Sequence, residues 1–248
     1  MFSFFSKKQK ATLASLIPPG FVDIHSHLLP GIDDGAKDPD DSLTLINTLK
    51  GYGFSQFITT PHVLTGVWNN TRDGILATEE KHKDFLQQQG INEPFKAAAE
   101  YLIDDVFLKR IKQEPLLTLK DNYVLVEMSY LNAPMQLYEA LYEMQLEGYQ
   151  PILAHPERYL FYHHKQEEYQ KLKRVGCKFQ VNLLSVTGYY GKHVCDIAQK
   201  LLDEGMIDFV GSDTHHERHT AAFLNPVLLK DTAPLVKAME NNAMFAGA

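Results

Sequence analysis

Cysteine is scarce in this chain, which argues against a fold held together by disulfides. Only two cysteines, Cys177 and Cys195, occur among the 248 residues. They lack the close spacing of metal-binding or redox motifs, so we expect free thiols in a reducing compartment.

Long apolar runs and an excess of basic residues are also absent. No apolar stretch approaches the ~20 residues that span a bilayer. The short apolar run at the N-terminus precedes its lysines, an order that does not suit a secretion signal. Lysine and arginine total 24 against 31 acidic residues, for a net charge of −7, which argues against general nucleic-acid binding. We therefore expect a cytoplasmic protein without a transmembrane segment and without a nucleic-acid partner.

The remaining composition is that of an ordinary globular domain. Hydrophobic residues make up 44% of the chain and charged residues 22%, and no linker rich in glycine, serine or proline interrupts it. Strand-like runs alternate with helical patterns, and this alternation predicts an α/β barrel with a parallel sheet. We predict a tail over residues 1–20 and one barrel domain over residues 21–248. The predicted strands are 21–25, 57–60, 95–99, 123–127, 151–154, 178–183 and 209–212.

Residues that can bind metal recur at the ends of these predicted strands. In a parallel barrel the carboxyl ends of the strands form one face, where active sites are built. Imidazoles and carboxylates without thiolates suit Mn, Fe or Zn in a multinuclear site. Asp34 alone lies in a loop, which could fold back over the site. The nine candidates are His25, His27, Asp34, His62, Glu100, Glu127, His155, Asp213 and His215.

This prediction depends mainly on two short segments and one carboxylate. The HxH segment 25–27 and the DxH segment 213–215 each follow an apolar run, and residues i and i+2 share a face on an extended backbone. The alternative for segment 213–215 is a solvated loop. Glu127 ends an apolar strand, where an unpaired carboxylate would be costly to bury, so it should meet a cation. A salt bridge to arginine is the alternative.

Two arginines could bind a phosphoryl group. Arg158 follows His155 closely, and Arg218 follows the DxH segment; a guanidinium can bind two phosphate oxygens at once. Either could instead be a surface charge. Asp33 fits a turn residue, and the role of His219 stays open. We predict exposed, non-ligating positions for His82, His163, His164 and His193.

Taken together, these segments resemble the metal-binding pattern of the polymerase-and-histidinol-phosphatase superfamily. Within it, the chain looks most like the manganese-dependent protein-tyrosine phosphatases of bacterial capsule and exopolysaccharide gene clusters. Segments 23–27, 33–35, 154–159, 180–182 and 212–215 carry this resemblance, which runs from about Phe21 to the C-terminal helix.

The resemblance implies a distorted (β/α)7 barrel that binds three metal ions, with Mn²⁺ favoured and Fe, Zn or Mg as alternatives. It implies the same nine ligands, with Arg158 and Arg218 holding the phosphate while a metal-bound hydroxide attacks phosphorus. The placement of Arg218 requires a shortened loop after the DxH segment. The implied substrate is the phosphorylated tyrosine-rich tail of a bacterial tyrosine kinase, with small aryl phosphates as substrates in vitro; the oligomeric state stays open.

Three other functions compete with this one. A phosphatase acting on histidinol phosphate would have a similar site, and substrate profiling would separate the two. A polymerase-type nuclease fits the acidic composition poorly. A catalytically silent metal-binding module has no reason to keep a complete ligand set. A thiol mechanism is disfavoured because Leu183 and Leu201 stand six residues after the two cysteines, where an arginine would be needed.

Overall fold

Parallel strands alternate with helices along residues 10–248, the part of the chain that the computed structural model describes. The strands are β1 (Phe21–Asp23), β2 (Phe54–Thr59), β3 (His62–Val63), β4 (Phe95–Ala97), β5 (Glu100–Leu102), β6 (Tyr123–Glu127), β7 (Gln150–Ala154), β8 (Lys178–Asn182) and β9 (Phe209–Gly211). The helices are α1 (Pro39–Gly51), α2 (Arg72–Gln88), α3 (Asp105–Gln113), α4 (Leu137–Leu146), α5 (Gln166–Arg174), α6 (Lys192–Asp203), α7 (Glu217–Ala222) and α8 (Ala233–Asn241). The predicted α/β class with parallel strands is confirmed.

The strands form two parallel sheets, in the orders β1-β2-β4 and β3-β5-β6-β7-β8-β9. Hydrogen bonds also join the segments that follow β1 and β9. Ser26 and Thr214 form a parallel bridge, the His27 amide donates to the Thr214 carbonyl over 2.9 Å, and the Asp213 amide donates to the His25 carbonyl over 2.8 Å. The HxH and DxH segments are therefore neighbours.

Beyond each of two predicted strands, 57–60 and 95–99, the structure has a second, short strand. Thr60 and Pro61 separate β2 from β3, and two alanines separate β4 from β5. The prediction that His62 and Glu100 end their strands is wrong: they begin β3 and β5, where they lie opposite each other in register. Pro61 has no amide hydrogen to donate to a ladder, so the chain bends there. The two ligand candidates consequently lie on a short ladder beyond the main strands.

The first two helices begin directly after capping residues. The Asp38 side chain accepts a hydrogen bond from the Asp41 amide, and Pro39 occupies the first position of α1. Thr71 caps α2 by accepting from Gly74. Helices α1 to α6 each return the chain to the start of a following parallel strand, so the loops after the strands gather on one face.

A small apolar core contains side chains from strands of both sheets. Val22, Ile58, Leu125 and Ile152 belong to it and are almost fully buried. A second, larger core fills the layer between the sheets and the helices. Because both cores pack below the loops, the polar residues at the strand ends stand on a rigid base.

His82 departs from the prediction that it is exposed. It is buried between α2 and α1, and its Nε2–H donates to the Ser42 hydroxyl over 2.8 Å, because that hydroxyl itself donates to the Leu28 carbonyl. Burial lowers the pKa of His82 to about 4. His163 is half-buried, with Nε2 2.8 Å from the Glu157 carbonyl, whereas His164 and His193 are exposed as predicted.

The predicted N-terminal tail lies partly outside the described residues, which begin at Lys10. From there to β1 the chain packs on the C-terminal part of the domain: Leu13 is fully buried, and the Ala14 amide donates to the Phe223 carbonyl over 2.8 Å. Within residues 10–248 no helix has the length and apolar character to cross a membrane.

Candidate metal centre

The predicted metal ligands converge on one site. All nine predicted residues fall into four overlapping groups. Within each group, the ligand atoms lie within 4.8 Å of one another. Overlapping groups of this kind suit several adjacent cations rather than one. The groups are His27–Asp34–His62–His215, His25–Glu100–His155, His25–His27–Asp213 and His62–Glu100–Glu127.

Glu100 is the centre of the arrangement. Its side chain is fully buried, and the Oε2 atom lies 3.3 Å from His25 Nε2, 3.5 Å from His27 Nε2 and 3.1 Å from His62 Nδ1. The Oε1 atom lies 3.1 Å from His155 Nε2. One carboxylate thus faces four imidazoles, which is the position of a bridging ligand.

Asp213 provides the second central carboxylate. Its Oδ1 atom lies 3.4 Å from Nε2 of both His25 and His27. Its Oδ2 atom accepts hydrogen bonds from Arg158 Nη1 at 2.7 Å and Asn182 Nδ2 at 2.6 Å. These bonds orient the carboxylate so that one oxygen faces the histidines and the other faces the arginine.

The outer part of the site opens to solvent. Asp34 is exposed, and its Oδ1 atom lies 3.6 Å from Nε2 of both His62 and His215. Glu127 is buried, with Oε1 3.0 Å from His62 Nδ1. The close cationic neighbour of Glu127 is therefore the His62 imidazole. It is not an arginine, which was the alternative to a metal-binding role.

Two of these residues have left-handed backbone conformations. His155 has φ 34° and Asp213 has φ 50°, and Asp121 is the third non-glycine residue with positive φ in the described chain. Such a conformation costs a non-glycine residue of the order of 1–2 kcal/mol. His155 follows β7 directly and Asp213 follows β9 after one residue, and both side chains lie in the site.

Two residues outside the predicted set orient the HxH histidines. Asp33 Oδ2 accepts from His27 Nδ1 at 2.8 Å, and Gln180 Oε1 accepts from His25 Nδ1 at 2.7 Å. Each bond leaves Nε2 free to face the centre, the arrangement by which partner groups set the tautomer of metal-bound histidines. Asp33 is thus more than a turn residue. Gly35 makes its loop possible, because a Cβ there would lie 2.1 Å from the His27 carbonyl oxygen.

The site has the electrostatics of a cation-binding pocket. Burial opposes ionisation of Glu100, yet the imidazole of His25 and the hydrogen bond from His155 hold the pKa of that carboxyl well below its usual range. Burial and His27 would lower the pKa of His62, but Glu100 and Glu127 raise it to about 10. The pKa values of His25 and His27 are also raised, so protons on these three histidines balance the buried carboxylates and are the positive charge that metal ions would replace.

The buried atoms also fit metal ions geometrically. Glu100 Oε2 and His62 Nδ1 lie 3.1 Å apart, yet neither makes a hydrogen bond of acceptable geometry. Buried polar atoms are normally hydrogen-bonded, so each such exception requires an explanation. Lone pairs that converge on a shared cation account for this pair.

A cleft of about 250 Å³ leads to the centre. Arg158 lies in its wall, with the guanidinium carbon 4.1 Å from the ring centre of Tyr190 and 4.9 Å from that of Tyr130. Residues that sequence reasoning did not assign to the site also line it, namely Tyr130, Tyr190, His216 and His219. His219 is buried, and its Nδ1 lies 3.1 Å from the Asp213 carbonyl.

Arg218 occupies a different environment from Arg158. It is exposed on α7 and is absent from the cleft lining found in the described chain. Its assignment as a phosphate-binding residue therefore stays a prediction. The cysteines are buried and free, and burial raises the pKa of Cys177 to about 12 and also raises that of Cys195. Neither thiol has the character of an activated nucleophile.

Comparison with known proteins identifies the family. A family model described as "Capsular polysaccharide synthesis, CpsB/CapC" matches residues 21–243, which include every metal-ligand candidate. The chain belongs to the CpsB/CapC family. The resemblance inferred from the sequence motifs is thereby confirmed.

Two relatives of this CpsB/CapC family protein are named as tyrosine-protein phosphatases, one of them as putative. It is 30% identical over 196 residues to the tyrosine-protein phosphatase YwqE of Bacillus subtilis, covering 79% of this chain and 77% of that protein. It is 27% identical to the putative tyrosine-protein phosphatase CapC of Staphylococcus aureus, covering 78% and 76% of the two chains.

Solved structures give the same relationship. One chain from the structures of YwqE of Bacillus subtilis and CpsB of Streptococcus pneumoniae, described as metal-dependent tyrosine phosphatases, superposes with a TM-score of 0.75. It is 29% identical, and the match covers 82% of this chain and 84% of that chain. An amidohydrolase from Mycoplasma synoviae matches with a TM-score of 0.55 at 13% identity, which shows a shared fold alone.

Proposed function

We propose that this CpsB/CapC family protein is a metal-dependent protein-tyrosine phosphatase. The observation that carries the proposal is the largely buried cluster of nine imidazole and carboxylate side chains, which opens into a cleft that holds Arg158. In the hydrolysis, water supplies the new oxygen on phosphorus, the bond from phosphorus to the tyrosyl oxygen breaks, and inorganic phosphate and tyrosine are released. The names of the relatives support phosphotyrosine as the substrate.

The nine residues would hold three divalent cations, with Mn²⁺ as the favoured metal and Fe, Zn or Mg as alternatives. When bound, such ions lower the pKa of water and neutralise phosphoryl oxygens. Glu100 and Asp213 lie where they would be shared between cations, and Asp33 and Gln180 hold two of the histidines in the ligating tautomer.

Arg158 would bind the phosphoryl group. Its guanidinium reaches the cleft beside Asp213, and Tyr130 and Tyr190 restrict its position. A guanidinium offers two parallel hydrogen bonds to phosphate oxygens and keeps its charge throughout the reaction. We retain Arg218 as the second phosphate-binding residue of the proposal, which requires a movement of α7 or of its own side chain toward the cleft.

The physiological substrate in this proposal is the phosphorylated tyrosine-rich tail of a bacterial tyrosine kinase in the cytoplasm. The capsule-synthesis description of the family supports this assignment, and free cysteines suit a reducing compartment.

We further infer that the strands form a distorted (β/α)7 barrel. If β2 with β3 and β4 with β5 each count as one interrupted strand, the two sheets contain seven strands in chain order. The bridge between Ser26 and Thr214 joins the first unit to the last, and the Thr60 amide donates to the Ser26 carbonyl over 2.7 Å. These contacts support a ring that closes at its carboxyl face.

Initial rates test the proposal. We expect the protein to hydrolyse a phosphotyrosine peptide and p-nitrophenyl phosphate with Mn²⁺, to lose activity on chelation and to recover it on metal addition. Asp213→Asn and His27→Ala should lose most activity while thermal unfolding stays cooperative. Faster turnover of histidinol phosphate than of the peptide would favour the alternative phosphatase, and full activity in the metal-free protein would refute a metal mechanism.

A further inference from the structure

Large apolar side chains are exposed around the mouth of the cleft. Among the described residues, six of the thirteen exposed large apolar side chains lie in loops that follow strands. Because these loops share the face that carries the metal centre, the apolar surface adjoins the site. The six residues are Val67, Tyr130, Leu131, Met135, Leu160 and Tyr189.

Most of these residues lie in neighbouring loops on one side of the cleft. They occupy the loops after β6, β7 and β8, which are consecutive neighbours in the sheet. The ring centres of Tyr130 and Tyr159 lie 5.8 Å apart, which joins the first two loops. The Arg158 guanidinium contacts Tyr130 and Tyr190 and so connects all three loops. We call Leu131, Met135, Leu160 and Tyr189 the apolar rim.

The loop between β6 and α4 is anchored at its base while its apolar residues face solvent. The Tyr159 hydroxyl accepts from the Met128 amide over 2.9 Å, and the Tyr130 ring stacks on His155 at 5.7 Å. Beyond this anchor, Leu131 is 87% exposed and Met135 is 100% exposed. Exposed large apolar side chains grouped in neighbouring loops beside a cleft are typical of a binding site.

We propose that the apolar rim binds apolar residues flanking the phosphotyrosine of a polypeptide substrate. This inference rests on the proposed phosphatase function. The cleft of about 250 Å³ is smaller than the roughly 300–1,000 Å³ of pockets for drug-sized ligands. It therefore suits one phosphorylated aryl side chain, while the polypeptide that carries it crosses the mouth. The flanking residues then meet the apolar rim, and the phosphate meets Arg158.

The decisive experiment compares two phosphotyrosine peptides that differ only in their flanking residues. One peptide has leucine on both sides of the phosphotyrosine and the other has serine, and p-nitrophenyl phosphate serves as a substrate without flanks. The test variants are the double substitution Leu131→Ser, Met135→Ser and the single substitution Leu160→Ser. Leu146→Ser is the matched control, because Leu146 is 61% exposed at the far end of α4 and Leu160 is 56% exposed.

We expect the double variant to lower kcat/KM on the leucine-flanked peptide by about tenfold, the effect of losing contact with one or two apolar side chains. Leu160→Ser should lower it about threefold. Rates on the serine-flanked peptide and on p-nitrophenyl phosphate should change less than twofold, as should all rates of the Leu146→Ser control.

Other outcomes overturn the proposal in distinguishable ways. If wild-type protein turns over all three substrates and the rim variants change the two peptides equally, the apolar rim does not recognise flanking residues. If the rim variants instead lose binding to phosphatidylglycerol vesicles while peptide kinetics are unchanged, the rim is a membrane-binding surface. If wild-type protein with Mn²⁺ hydrolyses none of the substrates, the phosphatase function itself is wrong and this inference falls with it.

Discussion

Replacement of Asp33 by asparagine should weaken metal binding without destroying the fold. Asp33 lies outside the group of nine ligands, but its carboxylate receives three hydrogen bonds. Oδ2 accepts from His27 Nδ1 at 2.8 Å and from the His62 amide at 3.1 Å, and Oδ1 accepts from the Gly35 amide at 3.0 Å. The two backbone amides always donate, and His27 Nδ1 donates when the ring binds metal through Nε2.

An asparagine side chain cannot satisfy all three donors. Either orientation of its amide places an NH₂ group against at least one N–H, so a hydrogen bond is replaced by two opposed donors. The less costly orientation keeps the amide oxygen of the asparagine toward His27 and loses the hydrogen bond from the Gly35 amide. Loss of one such bond costs about 1–3 kcal/mol, and loss of the negative charge beside His27 weakens the imidazole as a ligand. Substitution of a carboxylate behind a metal-binding histidine typically lowers affinity or activity by about 10–100-fold.

The assay is a titration of metal-free protein with Mn²⁺, followed by competition with a fluorescent chelator and by turnover of p-nitrophenyl phosphate. We expect the half-saturating Mn²⁺ concentration of Asp33→Asn to rise about 10–100-fold, with activity largely restored at saturating metal. Asp84→Asn, an exposed carboxylate on α2, is the control. If the two variants and the wild type have midpoints within twofold of one another, Asp33 does not position His27 for metal binding.

Three further predictions concern other parts of the chain. Arg158→Lys should lower kcat/KM on a phosphotyrosine peptide and on p-nitrophenyl phosphate alike, by about 1.5–3 kcal/mol; a loss confined to the peptide would show that Arg158 contacts the polypeptide instead. The double substitution Cys177→Ala, Cys195→Ala should retain activity because both thiols are buried with raised pKa values, and inactivity with intact fold and metal content would indicate a thiol mechanism. Burial lowers the pKa of His82 from 6.5 to about 4, so its contribution to stability is complete above about pH 6.5 and is lost as the pH falls toward 4. Denaturant unfolding of the metal-free protein should show wild type losing stability relative to His82→Gln over that range, and a constant difference would contradict the proposed burial of a neutral imidazole.

The alternation of strands and helices could be predicted from the sequence because it depends on local patterns. Apolar runs between turn residues indicated the strands, and α1 and α2 begin after Asp38 and Thr71, whose capping acts within three residues. Most of the candidate ligands could be predicted because parallel strands bring their carboxyl ends to one face, although His62 and Glu100 begin short strands of their own.

The features that were missed depend on contacts between distant parts of the chain. Gln180 lies in a segment that carries the family resemblance, but its role in orienting His25 depends on a contact across 155 positions. His82 is buried because α2 turns it toward Ser42 on α1, 40 positions away. The break between β2 and β3 had a local signal in Pro61, but its effect, which places His62 on a separate ladder with Glu100, required the neighbouring strand.

The left-handed conformations of His155 and Asp213 have a consequence for protein engineering. At both positions the backbone favours glycine, yet the site needs an imidazole and a carboxylate there. Redesign that fitted each residue to its backbone angles would select glycine at both positions, to relieve strain of the order of 1–2 kcal/mol at each. It would also remove two candidate ligands, and Asp213→Gly would leave Arg158 and Asn182 without the carboxylate that accepts their hydrogen bonds. Selection for stability therefore has to be paired with a measurement of bound metal.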